Sequence, residues 1–195
     1  MTPADPLRAA AHMGGILESL GIRYVVGGSL ASSIHGEPRL TIDLDVMIEV
    51  DEDSAVRLTE ALGGTFYADP EAARDAVSHV STFNVVDLET ALKIDFFIAE
   101  NDPAVEKQLE RRIAVHVDDD TVYVYAPEDI LVRKLRWFRL GGETSERQWR
   151  DILGILRISG SRMDLSYLDE AASHFEVLDL LKRAQGETPP PSRMM

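Results

Sequence analysis

Two aspartates, Asp43 and Asp45, lie one residue apart in the apolar segment TIDLDVMIEV, residues 41–50. A third, Asp95, lies in the similar segment LKIDFFI. Carboxylates that lie close together repel one another unless a cation separates them, and Mg²⁺ prefers oxygen ligands of this kind. Two such cations can activate an attacking oxygen and stabilise a leaving one. The residue types suggest a two-metal site; the alternative is that these aspartates are solvent-facing residues on a one-sided sheet.

Strand alternation decides which side chains share a face with the aspartates. Side chains in a strand point alternately to opposite faces, so Asp43 and Asp45 share one face. The opposite face of that strand is apolar and consists of Leu44, Val46 and Ile48. In the second segment Asp95 shares its face with Lys93 and Phe97. If the two strands are neighbours, three carboxylates lie on one side of one sheet.

A glycine pair precedes the aspartates. Gly27, Gly28 and Ser29 follow the apolar segment IRYVV, residues 22–26, where a strand is expected to end and a helix to begin. Glycines allow a ligand to approach the backbone closely, and a helix N-terminus attracts phosphate. The sequence therefore predicts a phosphate-binding loop with Ser29 adding a hydroxyl. The alternative is a simple tight turn in which Gly28 or Ser29 caps the helix.

The residues GGSLASSIHGEPRLTIDLDVMI, followed by KIDFF, resemble the nucleotidyltransferase superfamily of the DNA polymerase beta type. Within it they are most similar to bacterial AbiEii-like and minimal nucleotidyltransferases of toxin–antitoxin systems. The resemblance covers residues 22–98 and extends more loosely to residue 158. The segment between GGS and the first aspartate is longer here than in polymerases and aminoglycoside enzymes, so the acceptor class is not carried over.

The resemblance implies metal-dependent transfer of a nucleoside monophosphate from an NTP, with ATP expected, to a hydroxyl of a protein, a tRNA or a small molecule. Pyrophosphate is released. It implies that Asp43, Asp45 and Asp95 hold two Mg²⁺ ions, with Mn²⁺ as an alternative, and that Asp95 helps to activate the acceptor. It further implies that Gly27–Ser29 hold the triphosphate. A cognate toxin or antitoxin is the expected protein partner.

Two cations are further candidates for binding the nucleotide. Lys134 lies within the apolar face of a predicted helix over residues 127–140, so it either extends to the rim of that face or contacts phosphate. The resemblance favours a nucleotide contact for Lys134. Arg39 could reach a phosphate or support the metal site, or it could be an ordinary surface cation.

Two neighbouring polar residues are predicted to be structural. Asp151 is most simply the i,i+4 partner of Arg147 on a predicted helix over residues 144–158, and positioning Lys134 or the nucleotide is the less favoured interpretation. His35 is predicted to end a short helix just before Gly36, without a catalytic role.

The pattern of elements predicts an α/β (α+β) fold. A polymerase-beta-like nucleotidyltransferase lobe with a mixed sheet is expected over residues 1–126, followed by a helical region over 127–185 and a disordered tail over 186–195. The predicted helices cover residues 6–20, 28–35, 52–62, 70–78, 103–111, 127–140, 144–158 and 164–184, the last with a break near His174. The predicted strands cover residues 22–26 and 41–50 and two hairpins that turn at Leu88–Thr90 and Asp118–Asp120.

Composition limits the other possibilities. The net charge of −14 argues against general nucleic-acid binding, although basic residues between Arg133 and Arg157 keep an RNA acceptor open. The chain has no cysteine, which excludes disulfides and thiolate-bound metals. No apolar run approaches the roughly 20 residues that span a bilayer, and no leader peptide is evident, so a cytoplasmic protein without membrane contact is expected.

Three functional hypotheses follow from these residues. The first is an active nucleotidyltransferase that carries all three acidic residues. The second is a catalytically idle, nucleotidyltransferase-like antitoxin or regulator that acts by protein–protein binding. The third is a metal-binding structural module that takes no nucleotide. Replacing Asp43 and Asp45 separates the first hypothesis from the second, because only the enzyme requires those carboxylates.

Overall fold

The structure, a computed structural model, describes residues 5–41 and 43–188. It combines nine helices and seven strands in the part of the chain described. Up to the end of the sheet the elements are α1 (Pro6–Ser19), β1 (Arg23–Val26), α2 (Gly28–His35), β2 (Asp43–Glu49), α3 (Glu52–Leu62), β3 (Phe66–Tyr67), α4 (Pro70–Ser78), β4 (Thr82–Asp87), β5 (Lys93–Ile98), α5 (Pro103–Glu110), β6 (Ile113–Val117) and β7 (Asp120–Val124). The helices that follow are α6 (Pro127–Leu140), α7 (Glu146–Ser159), α8 (Leu165–His174) and α9 (Leu178–Glu187), with a 3-10 turn at Gly160–Arg162.

The strands form one mixed sheet in the order β3-β4-β5-β2-β1-β7-β6. Strand β2 runs antiparallel to β1 and parallel to β5, and β1 runs parallel to β7. The remaining neighbours, β3 with β4, β4 with β5 and β6 with β7, are antiparallel. The α/β fold with a mixed sheet is therefore confirmed. The sheet brings β2 and β5, the two strands that carry the aspartates, side by side at its centre.

The chain divides into two compact units, each with its own core. The first contains residues 5–30 and Leu40–Val124, and so holds the whole sheet with α1, α3, α4 and α5. The second contains Ala31–Arg39 and residues from Tyr125 onward, and so holds α6 to α9. In the second unit α6 packs against α7 and α8, and α7 packs against α9.

Local sequence signals account for most helix boundaries. Aspartate side chains accept hydrogen bonds from backbone N–H groups at the start of five helices: Asp5, Asp51, Asp69, Asp102 and Asp164. A carboxylate at a helix N-terminus accepts hydrogen bonds from N–H groups that have no partner within the helix. Its negative charge also interacts favourably with the partial positive charge at that end of the helix dipole. Part of the acidic excess of the chain therefore caps helices.

The predicted elements agree closely with the observed ones. Four predicted helices, 28–35, 52–62, 70–78 and 127–140, coincide with α2, α3, α4 and α6. Strand β3 and the 3-10 turn were absent from the prediction. Helix α9 continues through Glu187, so the predicted tail over 186–195 begins with two helical residues, and 189–195 lie outside the described residues. Among the helices that the structure describes, none has the length and apolar character needed to cross a membrane.

Candidate active site

The aspartates of β2 lie on the face that alternation predicts. Along β2 Asp43 is exposed and Asp45 is half-buried, whereas Leu44, Val46 and Ile48 are almost completely buried. Strand β5 repeats the pattern, with Asp95 half-buried between Ile94 and Phe96, which belong to the core. The aspartates therefore replace no core residue, and the apolar face of the sheet packs normally.

The register between β2 and β5 brings the carboxylates onto one patch of the sheet. Asp45 is paired directly with Asp95, and Asp43 is paired with Lys93. Residues paired in register on neighbouring strands point to the same face, and the strands lie about 4.8 Å apart. The two strands are neighbours, so the condition for three carboxylates on one side of the sheet is met. Asp43, Asp45 and Asp95 share one face of the first unit, named here the acidic face.

Lys93 supplies positive charge on the acidic face. Its Nζ lies 2.8 Å from Asp95 Oδ2, and both side chains remain partly exposed. The hydrogen bond to Asp95 raises the pKa of Lys93, and the charges of Asp43 and Asp45 raise it further against the opposing effect of desolvation. Alternation placed Lys93 on this face, but sequence analysis gave it no role because its register against Asp43 was unknown.

Asn84 is a second polar residue on this face that sequence analysis missed. It is paired directly with Asp95 across the antiparallel β4–β5 ladder and is exposed. Asp95 therefore lies between Asp45 on one side and Asn84 on the other. The alternation of TFNVV, with Phe83 and Val85 buried, was the signal that could have placed Asn84 on the same face as the aspartates.

The donor set suits a hard divalent cation. Three carboxylates and one amide oxygen on a single face are ligands that Mg²⁺ or Mn²⁺ accepts. In the described residues no three acidic or histidine side chains are already gathered around one point. Asp95 is instead paired with Lys93. The residues fit a cation in kind and share one face of the sheet.

The glycine loop lies directly against the acidic face. Strand β1 ends at Val26 and α2 begins at Gly28, which confirms the predicted strand-to-helix junction. The Gly27 N–H donates a hydrogen bond of 2.9 Å to the Asp45 carbonyl oxygen. Gly28 has a φ of +55°, and a Cβ built on it would lie 1.6 Å from Asp45 Oδ2. Only glycine leaves the Asp45 carboxylate in its place.

Ser29 follows in the first turn of α2 and is half-buried. The N-terminus of a helix carries partial positive charge, which favours an anion such as phosphate. Gly27, Gly28 and Ser29 therefore bring an anion-attracting backbone next to the carboxylate of Asp45. A carboxylate beside such a helix N-terminus suits a ligand that contains both metal and phosphate.

Arg39 and Lys134 come together in the second unit, around Asp151. Arg39 donates from Nε and Nη2 to the two carboxylate oxygens of Asp151, at 3.0 and 3.1 Å. Lys134 Nζ donates to Asp151 Oδ2 at 2.9 Å, and the side chains of Lys134 and Asp151 are about nine-tenths buried. The predicted pairing of Asp151 with Arg147 is corrected: the carboxylate binds two cations that are distant in sequence.

The electrostatics of this cluster hold Asp151 ionised. Burial alone would raise the pKa of Asp151, but the hydrogen bonds from Arg39 and the charge of Lys134 outweigh burial and lower it. Asp151 therefore forms an ion pair with a cation from each of two distant parts of the sequence. Lys134 is therefore neither a solvated lysine at the rim nor an isolated charge; its ammonium is held in place by Asp151.

His35 ends α2 in the second unit, as predicted. Its Nε2 forms a 2.8 Å hydrogen bond with the Tyr125 carbonyl oxygen, and its own carbonyl accepts from the Ser159 hydroxyl at 2.7 Å. Burial lowers the pKa of His35, against a smaller opposing effect of the Tyr125 hydrogen bond. These hydrogen bonds connect the end of α2 to Tyr125 and Ser159.

Solved structures similar to this chain include nucleotidyltransferases and proteins like them. An antigenic nucleotidyltransferase-like protein from Paracoccidioides brasiliensis matches with a TM-score of 0.56 and 18% identity, over 97% of this chain and 96% of that one. The antibiotic-resistance factor ANT(2'')-Ia matches with a TM-score of 0.55 and 9% identity, over 94% and 99%. A crystal structure of that factor with adenylyl-2''-tobramycin gives 0.51 and 11%, over 87% and 95%. The fold is that of a nucleotidyltransferase.

The family is narrower than the fold. The chain belongs to the AbiEii family, whose model, described as "Nucleotidyl transferase AbiEii toxin, Type IV TA system", matches residues 17–188. No curated protein sequence matches the chain significantly. The resemblance drawn from the GGS and DxD residues is confirmed, and the protein is a nucleotidyltransferase.

Proposed function

We propose that the protein transfers a nucleoside monophosphate from an NTP to an acceptor hydroxyl in a reaction that requires Mg²⁺. The observation that carries the proposal is the arrangement of Gly28, Asp45 and Asp95. The register pairs the two carboxylates, and the glycine loop lies against one of them. A metal–triphosphate complex needs both features in one place.

Asp43, Asp45 and Asp95 would hold the cations. When bound, Mg²⁺ neutralises the triphosphate and lowers the pKa of an oxygen that it coordinates. The acceptor oxygen attacks the α-phosphorus, the bond from that phosphorus to the bridging oxygen of the β-phosphate breaks, and pyrophosphate leaves. The proton of the acceptor hydroxyl passes to a carboxylate oxygen of Asp95, the aspartate that the flanking strands hold from both sides.

The remaining predicted site residues would bind the nucleotide. Gly27, Gly28 and Ser29 would hold the triphosphate through backbone N–H groups and the serine hydroxyl. Arg39 and Lys134 would contact phosphate oxygens, with Asp151 fixing the direction of both cations. The shared contact with Asp151 supports this assignment, because it holds the two cations side by side.

The identity of the NTP and of the acceptor can be found with one labelling experiment. The full chain is incubated with Mg²⁺, bacterial extract and each α-³²P-labelled NTP, and label is followed into protein, tRNA and small-molecule fractions. We expect ATP to label one fraction and the Asp43→Asn/Asp45→Asn variant to label none. Equal labelling by a folded variant would contradict the proposed site.

A role in a toxin–antitoxin pair is proposed on the family description. The toxin would arrest growth when its gene is expressed alone, and a cognate antitoxin would relieve the arrest. Expression of the wild-type chain and of the Asp43→Asn/Asp45→Asn variant in a bacterial host tests this role. Arrest by both proteins at equal abundance would favour action by protein–protein binding over catalysis.

A further inference from the structure

Lys93 is placed where its positive charge can balance the carboxylates of the acidic face. It is the register partner of Asp43, its Nζ binds Asp95 Oδ2 at 2.8 Å, and Asp45 is the register partner of Asp95. The β4 residues beside β5 at this point, Asn84 opposite Asp95 and Val86 opposite Lys93, carry no charge. The ammonium of Lys93 therefore lies among three carboxylates.

The contact between Lys93 and Asp95 uses the same oxygen lone pairs that a divalent cation would use. An ammonium and a metal ion cannot both occupy Asp95 Oδ2 in the same direction, so one must leave for the other to bind. Lys93 can leave at little cost, because its side chain is 46% exposed and its flexible stem carries a readily hydrated charge. Asp95 cannot leave, because its strand is paired on both sides.

We propose that Lys93 is a tethered competitor of the divalent cation at Asp95, which neutralises the acidic face before the cation binds and releases Asp95 when it arrives. This inference rests on the proposed metal site. It assigns Lys93 a role in setting cation affinity: the lysine lowers the affinity of the nucleotide-free protein for the ion.

The Lys93→Met variant should bind the cation more tightly and, without a cation, should be less stable. Without the ammonium, Asp95 is open to the cation and the cation meets more negative charge, so cation binding strengthens. Without the ammonium and without a cation, the three carboxylates repel one another, so the fold is less stable in a chelator. Replacing a surface lysine without a role at the acidic face would produce neither effect.

Binding is measured by titrating the nucleotide-free full chain with Mn²⁺ and counting unbound Mn²⁺ by its electron paramagnetic resonance signal. We expect Lys93→Met to bind Mn²⁺ roughly twofold to fivefold more tightly than wild type, the scale set by a partly exposed ion pair and screened by salt. Lys93→Arg, which keeps the charge, should stay close to wild type. In the Asp95→Asn background, Lys93→Met should lose most of its effect.

A matched control exists in the second unit. Lys182 Nζ binds Asp169 Oδ2 at 2.7 Å. The two lysines are similarly exposed, 51% for Lys182 and 46% for Lys93, whereas Asp169, at 46%, is more exposed than Asp95, at 21%. Lys182→Met removes a lysine of the same kind without touching the acidic face. We expect it to leave Mn²⁺ affinity unchanged. Equal gains in Lys93→Met and Lys182→Met would reduce the effect to net charge and overturn the inference.

A second measurement does not depend on affinity. The chain has four lysines, so their side-chain NMR signals can be assigned by comparison with the Lys93→Met variant. Adding Mg²⁺ should shift the Lys93 signal toward that of a solvated lysine, and the Asp95→Asn variant should show the solvated position from the start. An unmoved Lys93 signal at saturating Mg²⁺ would show that the ammonium keeps Asp95.

The outcomes separate this inference from the proposed function. If wild type binds Mn²⁺, Asp45→Asn abolishes binding and Lys93→Met binds as wild type does, the metal site stands and the role of Lys93 is wrong. If Lys93→Met binds more weakly, Lys93 orients Asp95 for the cation and competition is likewise refuted. If neither protein binds Mn²⁺ at millimolar concentration, the proposed metal site itself fails, and the inference fails with it.

Discussion

Gly28→Ala is expected to lower the rate of catalysis at least about a hundredfold while leaving the protein folded. The φ of +55° at Gly28 is one that a residue with a Cβ adopts at a cost of about 1–2 kcal/mol. The new Cβ would lie 1.6 Å from Asp45 Oδ2, whereas real Cβ atoms essentially never approach closer than 3.0 Å. The carboxylate oxygen must therefore retreat by at least about 1.4 Å, the difference between those two distances.

The two consequences have different magnitudes. The backbone conformation at Gly28 should lower the free energy of unfolding by about 1–2 kcal/mol. Rotation of the half-buried Asp45 side chain moves its carboxylate away from the new methyl group, and the Asp45 Cβ, 2.8 Å away, requires a small backbone shift in addition. A displacement of about 1 Å in a group that positions the reaction costs about a hundredfold in rate. Since Asp45 would be a cation ligand, we expect the transfer rate to fall by at least that factor.

The assay compares initial rates of label transfer from the preferred NTP at saturating Mg²⁺, alongside urea unfolding of each variant. Gly21→Ala is the matched control, because Gly21 has a φ of +70° and nothing within 4 Å of its built Cβ. It carries the same backbone cost without the clash. We expect Gly21→Ala to lose similar stability and to keep its activity. A Gly28→Ala protein with a rate within threefold of wild type would refute the reasoning, because the clash would then have been relieved without moving Asp45.

Three further predictions concern stability. Asp151→Asn should lower the free energy of unfolding by about 3 kcal/mol in urea titrations, because the buried Lys134 ammonium then lacks its counter-charge. Asp169→Asn, in an exposed pair, should lower the same free energy by less than about 1 kcal/mol. Val80→Gly should raise the free energy of unfolding by up to about 1 kcal/mol, because Val80 has a φ of +47° and is half-exposed. A lower free energy of unfolding would show that the valine side chain contributes more than the backbone strain costs. His35→Gln should flatten the dependence of stability on pH between pH 7.5 and 5. The pKa of His35 is lowered from 6.5 in the fold, so below that pH the unfolded chain binds a proton that the folded chain does not, and wild type loses stability as pH falls; identical slopes for both proteins would contradict this.

The parts of the fold that could be predicted are those encoded locally. Helices α2, α3, α4 and α6 were located because periodicity, capping residues and glycine or proline breaks act within a few residues. Strand β3 was missed because two residues cannot display an alternation. The faces of β2 and β5 followed from alternation alone, which is why the apolar side of both strands was assigned correctly.

The parts of the site that could not be predicted depend on register and on long-range contacts. The β2–β5 pairing is what sets Asp45 against Asp95 and Lys93 against Asp43, and no local pattern encodes it. Asp151 was assigned the partner four residues away because local pairs are the ones a sequence displays. Its actual partners, Arg39 and Lys134, are 112 and 17 residues distant.

The path of the chain between the glycine loop and the first aspartate limits how the protein can be dissected. Residues Ala31–Arg39 belong to the second unit, although the residues before and after them belong to the first. A fragment that ends at residue 124 would keep this segment but lose Tyr125 and Ser159, the hydrogen-bond partners of His35. Truncation there therefore removes support from the end of α2, the helix that starts at Gly28. A loss of activity in such a fragment would report damage to the glycine loop, and it would not measure what the C-terminal helices contribute to substrate binding.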